Sequence, residues 1–174
     1  MEEFRSMRRI RQQLTQEEAE AVLRRCTNGI LAVHGDNDYP YAVPISYIYS
    51  DGKIYMHSAL SGHKLDGIKR NPKVSFCVVD KDQIVPEEFT TYFRSVIVFG
   101  KARLITDLEE MRAPHDLLCE KYCPHQTQEE KEAEFNKGAH HMLYIEITIE
   151  HMTGKQAREL MPQCINHTRH PTKD

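Results

Sequence analysis

The sequence has no tryptophan among its 174 residues, and its aromatics are tyrosine and phenylalanine alone. Visible colour in this protein would therefore come from a bound group. No apolar run approaches the roughly 18 residues that a membrane-crossing helix needs. The charged start MEEFRSMRRIRQQL lacks the apolar stretch of a secretory leader, so no membrane partner and a cytoplasmic setting are expected. The five cysteines, Cys26, Cys77, Cys119, Cys123 and Cys164, form no C-x-x-C pair, and reduced thiols are expected. A net charge of only −3 gives no footprint for a nucleic-acid partner. Neither G-x-x-x-x-G-K nor G-x-G-x-x-G occurs, which excludes a Walker loop and a dinucleotide-binding turn. No elbow frames a nucleophilic serine or cysteine. The length suits one domain with its own core.

What is present divides into three parts: a basic, polar arm over 1–14, a domain over 15–161 and a polar tail over 162–174. Thr15-Gln16-Glu17-Glu18 is a capping-box pattern. Ala19, Val22, Leu23 and Cys26 then recur at helical spacing up to Asn28-Gly29. Strand patterns follow at Ile30–Val33, Tyr41–Tyr49 and Lys53–His57, the last two joined by the turn Ser50-Asp51-Gly52 as a hairpin. A short helix over His63–Arg70 stops at Asn71-Pro72, because the residue before proline disfavours the helical region.

Val74–Val79 and Tyr92–Ile105 read as strands, with Lys81–Thr90 an inserted loop and Gly100 a bulge. Thr106-Asp107-Leu108-Glu109 and Thr127-Gln128-Glu129-Glu130 are two more capping boxes, opening helices that end near Tyr122 and Gly138. Met142–Ile149 is a last strand, and Thr153–Leu160 a closing helix. The sum is a mainly β chain with flanking helices. Consecutive hairpins favour a six-stranded antiparallel barrel over a doubly wound sheet.

The most chemical segment is His57-Ser58-Ala59-Leu60-Ser61-Gly62-His63-Lys64. It leaves a strand and opens a helix. Small residues admit close backbone approach, and a helix start offers free N–H groups with the positive end of the dipole. Two serine hydroxyls, a lysine and a histidine complete a donor set suited to a phosphate dianion. A solvated basic turn is the alternative.

Tyr39-Pro40-Tyr41-Ala42-Val43-Pro44-Ile45-Ser46-Tyr47, then Asp51-Gly52-Lys53-Ile54-Tyr55, His57-Ser58-Ala59, Gly62-His63-Lys64 and Asn71-Pro72-Lys73-Val74 come in a characteristic order. With Ser95-Val96-Ile97-Val98-Phe99-Gly100-Lys101-Ala102 they resemble the FMN-binding split-barrel (pyridoxamine 5'-phosphate oxidase-like) family. Met7-Arg8-Arg9 and Thr153-Gly154-Lys155 are similar to the ends of its nitroimidazole-resistance branch.

The resemblance covers about residues 4–160. It implies a six-stranded split β-barrel and a homodimer with FMN between subunits. It implies reduction of nitroimidazole-type or other small electron-poor substrates. Val43, Pro44, Ile45 and Ser46 would line the flavin edge, with Tyr41 flanking it. His57 and Ser58 would lie near the ribityl phosphate, and His63 and Lys64 would bind it. Ser95 and, from the partner chain, Lys155 are further expected contacts. His63 stands where the family usually carries arginine. The C-terminal substrate-phosphate motif of true pyridoxamine-phosphate oxidases is missing, so that activity is not expected. His57 and His63 are the candidate proton donors, because histidine titrates near neutrality. A flavin- or haem-binding protein without turnover, a redox sensor or store, is the alternative. His140, His141 and His151 are then candidate haem ligands. His115, Cys119 and Cys123, spaced i, i+4 and i+8, are a candidate metal-binding face, which competes with simple packing of Cys119.

Overall fold

The computed structural model describes residues 4–161. Seven antiparallel strands make one sheet, in the spatial order β2-β1-β5-β6-β7-β4-β3. The strands are β1 (Asn28–His34), β2 (Pro40–Ser46), β3 (Ile48–Ser50), β4 (Lys53–Ala59), β5 (Lys73–Val85), β6 (Thr90–Ile105) and β7 (Met142–Gln156). Four helices flank them: α1 (Gln16–Arg25), α2 (His63–Arg70), α3 (Leu108–Tyr122) and α4 (Gln128–Gly138). Among the described residues no helix is long and apolar enough to cross a membrane. The 162–174 tail, with Cys164, His167 and His170, lies outside the described residues.

The count of seven strands rather than six arises at Tyr47. The run Tyr41–Tyr49 is broken there: β2 pairs with β1, whereas β3 pairs with β4. Tyr47 is fully buried and donates its hydroxyl to the Leu23 carbonyl (2.8 Å). Its own carbonyl accepts from Tyr122 Oη (2.8 Å) and Lys121 Nζ (3.2 Å) at the end of α3. Satisfying a buried backbone group in this way lets the chain leave one ladder for another. Because β2 and β3 are opposite edges of the sheet yet one residue apart in sequence, the sheet must curl until its edges meet. No ladder joins them, so the barrel is split rather than closed. Leu31, Ile54, Met56, Leu65, Phe76, Val96, Val98, Ile145 and Ile147 fill the curl.

Two expectations about elements fail for one reason: ladder pairing overrides local pattern. The segment Lys81–Thr90 is largely paired, with Lys81 opposite Arg94 and Val85 opposite Thr90. It forms a ribbon extending past a bulge at Val79/Lys81, where Asp80 is gripped by Arg25 (both contacts 2.6 Å) and Arg94 (3.2 Å). Most of the ribbon is open to solvent, so its residues carry no apolar alternation. The closing helix expected at Thr153–Leu160 is instead the end of β7, paired with Arg94–Ile97, followed by a single 3-10 turn over Arg158–Leu160. The arm is also not wholly peripheral: Gln12 and Leu14 are buried, and the Leu14 amide donates to the Gly154 carbonyl (2.9 Å).

Capping boxes at Thr15 and Thr127 form with both bonds present. The box expected at Thr106 does not form; Asp107 caps α3 through its carboxylate and the Glu110 amide (3.0 Å). The bulge at Gly100 is present, and a Cβ there would collide with the Thr148 carbonyl.

Candidate functional site

The split positions the chemistry. β3 is so short that it pairs only with Lys53–Tyr55, which leaves one edge of β4 open from Met56 to Ala59. β2 is the free edge of the other end of the sheet. The loop 60–62 and the start of α2 lie at the far end of this gap. His63 marks the crossing, because its ring stacks on Tyr41 of β2 at 4.1 Å between centroids.

Gly62 turns the chain into α2 with φ +135 and ψ 164, a region that glycine alone enters easily. No side chain caps the helix. The amides of Leu65 and Asp66 bond back to the Gly62 carbonyl, leaving those of His63 and Lys64 without an acceptor among the described residues. Just upstream, Ser58 alternates with His57 on β4 and faces inward. Ser58 is 5% exposed, and its Oγ is a buried polar atom without a hydrogen-bond partner. A buried hydroxyl left unpaired costs about 1–3 kcal/mol. An orphaned hydroxyl, two free helix-start amides and the Lys64 ammonium, all within residues 58–64, are donor types that a phosphate dianion takes.

His63 is held by a turn far away in sequence. Its Nε2 accepts from the Asp36 amide (3.1 Å), and the Asp36 carboxylate lies 3.6 Å off. This arrangement assigns the proton of the neutral ring to Nδ1. Arg70 holds the same carboxylate at 2.7 Å, and that contact heads the causes that keep Asp36 below its ordinary range. His63 is therefore already engaged within the chain, whereas the Ser58 hydroxyl has no partner among the described residues.

His57 points to the opposite side of β4 from Ser58. It is paired across the ladder with Tyr144, at 6.5 Å between rings, and stays open to solvent at the strand edge. Its pKa is lowered, first by desolvation and then by repulsion from His115 and Lys64. Behind Tyr144, the buried His115 uses both ring nitrogens, Nδ1 with Tyr144 Oη (3.1 Å) and Nε2 with Cys119 Sγ (3.3 Å). Cys123 caps the C-terminus of α3 instead of joining them. Among the described residues no group of three or more His, Cys, Asp or Glu side chains is placed to hold a metal ion. Of the candidate metal face, His115 and Cys119 form a packed pair under Tyr144.

The remaining expected residues fall on two faces of β2. Tyr41, Val43 and Ile45 pack inward on the core. Pro44 and Ser46 face outward, Pro44 in register through Ile30 and Cys77 with Ile97. Ser95 and Lys155 are direct ladder partners on this outer face. They lie three and four strands from β2, or about 14–19 Å along the sheet at ~4.8 Å per strand. One chain therefore brings His63 against Tyr41 but keeps Ser95 and Lys155 apart from β2. His151 is stacked on Phe4 (4.5 Å), and His140 and His141 lie exposed on a 3-10 turn. The sequence reading missed the Asp36 clamp and the Tyr144–His115–Cys119 chain. Both join residues at least 25 positions apart, except for the i, i+4 spacing of His115 and Cys119.

A curled antiparallel sheet, split between two edges and floored by a glycine-led helix start, defines the split-barrel class. A family model described as pyridoxamine 5'-phosphate oxidase matches residues 15–156, and the chain belongs to this pyridoxamine 5'-phosphate oxidase-like family. An uncharacterized protein of Rhizobium meliloti (strain 1021) is 34% identical over 88 residues, covering 51% of this chain and 53% of that protein. The match thus spans about half the length of each. Three solved structures share the fold. A candidate 5-nitroimidazole antibiotic resistance protein of Bacteroides thetaiotaomicron is 22% identical, over 83% of this chain and 86% of that one, with a TM-score of 0.69. The conserved hypothetical protein Rv2991 of Mycobacterium tuberculosis is 20% identical, over 90% and 94%, with a TM-score of 0.76. An FAD-binding protein of Mesorhizobium loti is 26% identical, over 83% and 96%, with a TM-score of 0.61.

Proposed function

We propose that this chain is an FMN-dependent oxidoreductase that reduces small electron-poor substrates, nitroimidazole-type compounds among them. The observation that carries the reading is the buried, unpartnered Ser58 hydroxyl at the base of the loop that leads into the free start of α2. The names of similar proteins, a nitroimidazole-resistance candidate and an FAD-binding protein, support it. Flavin, when bound, supplies the redox chemistry. The amides of His63 and Lys64, the Ser58 hydroxyl and the Lys64 ammonium bind the phosphate. The free edge of β2 from Val43 to Ser46 orients the ring. His57, held largely neutral near pH 7 by its lowered pKa, takes up and releases a proton at the strand edge.

A homodimer completes the site. Ile30, Ile97 and Phe99 are exposed on the outer face with Pro44, forming an apolar surface that a second copy would cover. The partner's Ser95 and the partner's Lys155 would then reach the cofactor that this chain holds by its phosphate.

The test is an absorption spectrum of purified protein with and without added FMN, for wild type and Lys64→Ala. Retained flavin bands after removal of free FMN, weakened in Lys64→Ala, are the expected result. Absence of any flavin binding overturns the reading, and a sharp haem band keeps the fold but changes the function. Reduction by a nicotinamide nucleotide, followed by reoxidation with a nitroimidazole, then tests turnover. A second reading, flavin binding without turnover as a redox sensor or store, draws on His63. Its ring is already engaged by Asp36 and Tyr41 and needs no role beyond placing the loop. Absence of reoxidation by nitro compounds would select it.

A further inference from the structure

We propose that a pocket between the N-terminal arm, the β6 strand of the β5–β6 ribbon and the turn after β7 binds the diphosphate group of a nucleotide. The pocket has a volume of about 600 Å³ and is lined by Arg8, Arg9, Arg11 and Arg158, with Glu159 the sole acidic lining residue among the described residues. Four guanidinium groups against one carboxylate leave a lining charge of +3.

Elsewhere Arg25, Arg70, Arg94, Arg103 and Arg112 each hold a carboxylate. In the pocket, Arg8, Arg11 and Arg158 have no side-chain hydrogen bond or ion pair among the described residues. Arg9 reaches only the Gln12 carboxamide, at 3.5 Å. Gln12 also lines the pocket and is 6% exposed. Its oxygen is taken by Arg9, and its NH2 group has no acceptor among the described residues. Unpaired guanidinium forks are what phosphate oxygens satisfy.

Charge and size narrow the ligand. A terminal phosphate brings about −1.5 to −2 near pH 7, and an inner phosphate adds one more charge, which matches the lining. The volume exceeds what inorganic phosphate needs and lies within the range of small-ligand sites. Phe93 contributes an aromatic wall, and Lys155 Nζ sits 5.4 Å from its ring centroid. Within one chain the pocket is separate from the Ser58–Lys64 cradle, for the two lie at opposite ends of β7. Ala59 pairs with Met142 at its start, whereas Ala157 follows its end. The inference therefore does not rest on flavin binding.

The experiment is calorimetric titration of the full chain with ADP, and with adenosine as the uncharged control. The variants are Arg11→Gln/Arg158→Gln and Lys64→Ala, each also titrated with FMN. The expected result is ADP binding weakened at least tenfold in the double arginine variant, with its melting temperature and FMN binding unchanged and no adenosine binding. Competition then separates two sources of the diphosphate. Displacement of ADP by FAD but not by FMN marks a flavin dinucleotide, and displacement by NADH marks a nicotinamide donor. The proposal is overturned if wild type binds no ADP at millimolar concentration, or if the double variant binds it unchanged. Loss of ADP binding in Lys64→Ala alone also overturns it, by placing ADP in the cradle. Arginine-dependent ADP binding in a protein that takes no FMN would sink the flavin reading and leave this one standing.

Discussion

Replacing Ser58 by alanine should move two measurements in opposite directions. The hydroxyl is buried, makes no hydrogen bond among the described residues, and sits on the inward face of β4 between Met56 and the loop. Alanine has the same backbone preferences at this scale and lacks one oxygen, so the change opens little space. It removes an unsatisfied polar atom, whose desolvation costs about 1–3 kcal/mol. The ligand-free variant should therefore be more stable, by about 1 kcal/mol at the low end of that range. For a domain of this size that is a rise in Tm of about 2–4 °C. The flavin-bound state should lose a hydrogen bond to a charged group, worth about 1.5–3 kcal/mol. FMN affinity should then fall by about 10- to 150-fold. Thermal unfolding with and without FMN, and a fluorescence titration of the flavin, measure both. A variant less stable than wild type without ligand, and unchanged in FMN affinity, would refute the reasoning. In that case the hydroxyl contributes to the fold and not to a ligand.

Other outcomes follow from the same structure. Gly62→Ala places a side chain at φ +135, at a cost of about 1–3 kcal/mol, and should weaken flavin binding with it; unfolding and titration report both. Ile97→Asp puts a charge in the exposed apolar face and should yield a monomer in light scattering while leaving Tm nearly unchanged. Glu146, 4% exposed, is bonded by Arg103 (2.7 and 3.1 Å) and Lys53 (3.2 Å). Because both cations are partly solvated, Glu146→Ala should cost about 2 kcal/mol rather than the full value of a buried pair. Arg103, then Lys53, holds the Glu146 carboxyl below its ordinary 4.5. That stability is present above pH 4.5 and lost as pH falls through the lowered value, so the Tm gap to Glu146→Ala should close in acid. His57 has a folded pKa below its ordinary 6.5, so its unfolded form binds protons first. Its contribution is present above pH 6.5 and lost on acidification, and His57→Gln should flatten the Tm profile between pH 7 and pH 5.

The sequence made the fold legible where periodicity and caps agree. Thr15 and Thr127 open helices with the boxes their spacing announces, and Gly100 bulges. It was silent where a residue obeys a distant partner. Tyr47 reads as the middle of a β-rich run, and nothing nearby reveals that Leu23, Lys121 and Tyr122 hold it between two ladders. The phosphate-like donor set was legible because it is local: a strand end, small residues and a helix start within eight positions. The role of His63 was not, because Asp36 lies 27 positions upstream.

That difference bears on how the site is completed. A local motif supplies the candidate phosphate donors Ser58 and Lys64 at the end of β4, and the free edges of β2 and β4 border the split. The other expected contacts, Ser95 and Lys155, are ladder partners on the far part of the sheet and face away from the barrel interior. Side chains separated by three to four strands cannot converge on one ring system within a chain unless the sheet closes, and this sheet does not. They can converge if two copies pair through the apolar outer face, since a two-fold axis brings the far strands of one copy to the split of the other. Lys155→Ala should then weaken flavin binding without touching the phosphate cradle. A mixed dimer of Lys64→Ala and Lys155→Ala chains should regain one intact site from two defective ones. Recovery of up to half the wild-type flavin in the mixture, against little in either variant alone, is the expected result. No recovery in a verified mixed dimer would show that the two lysines serve different sites.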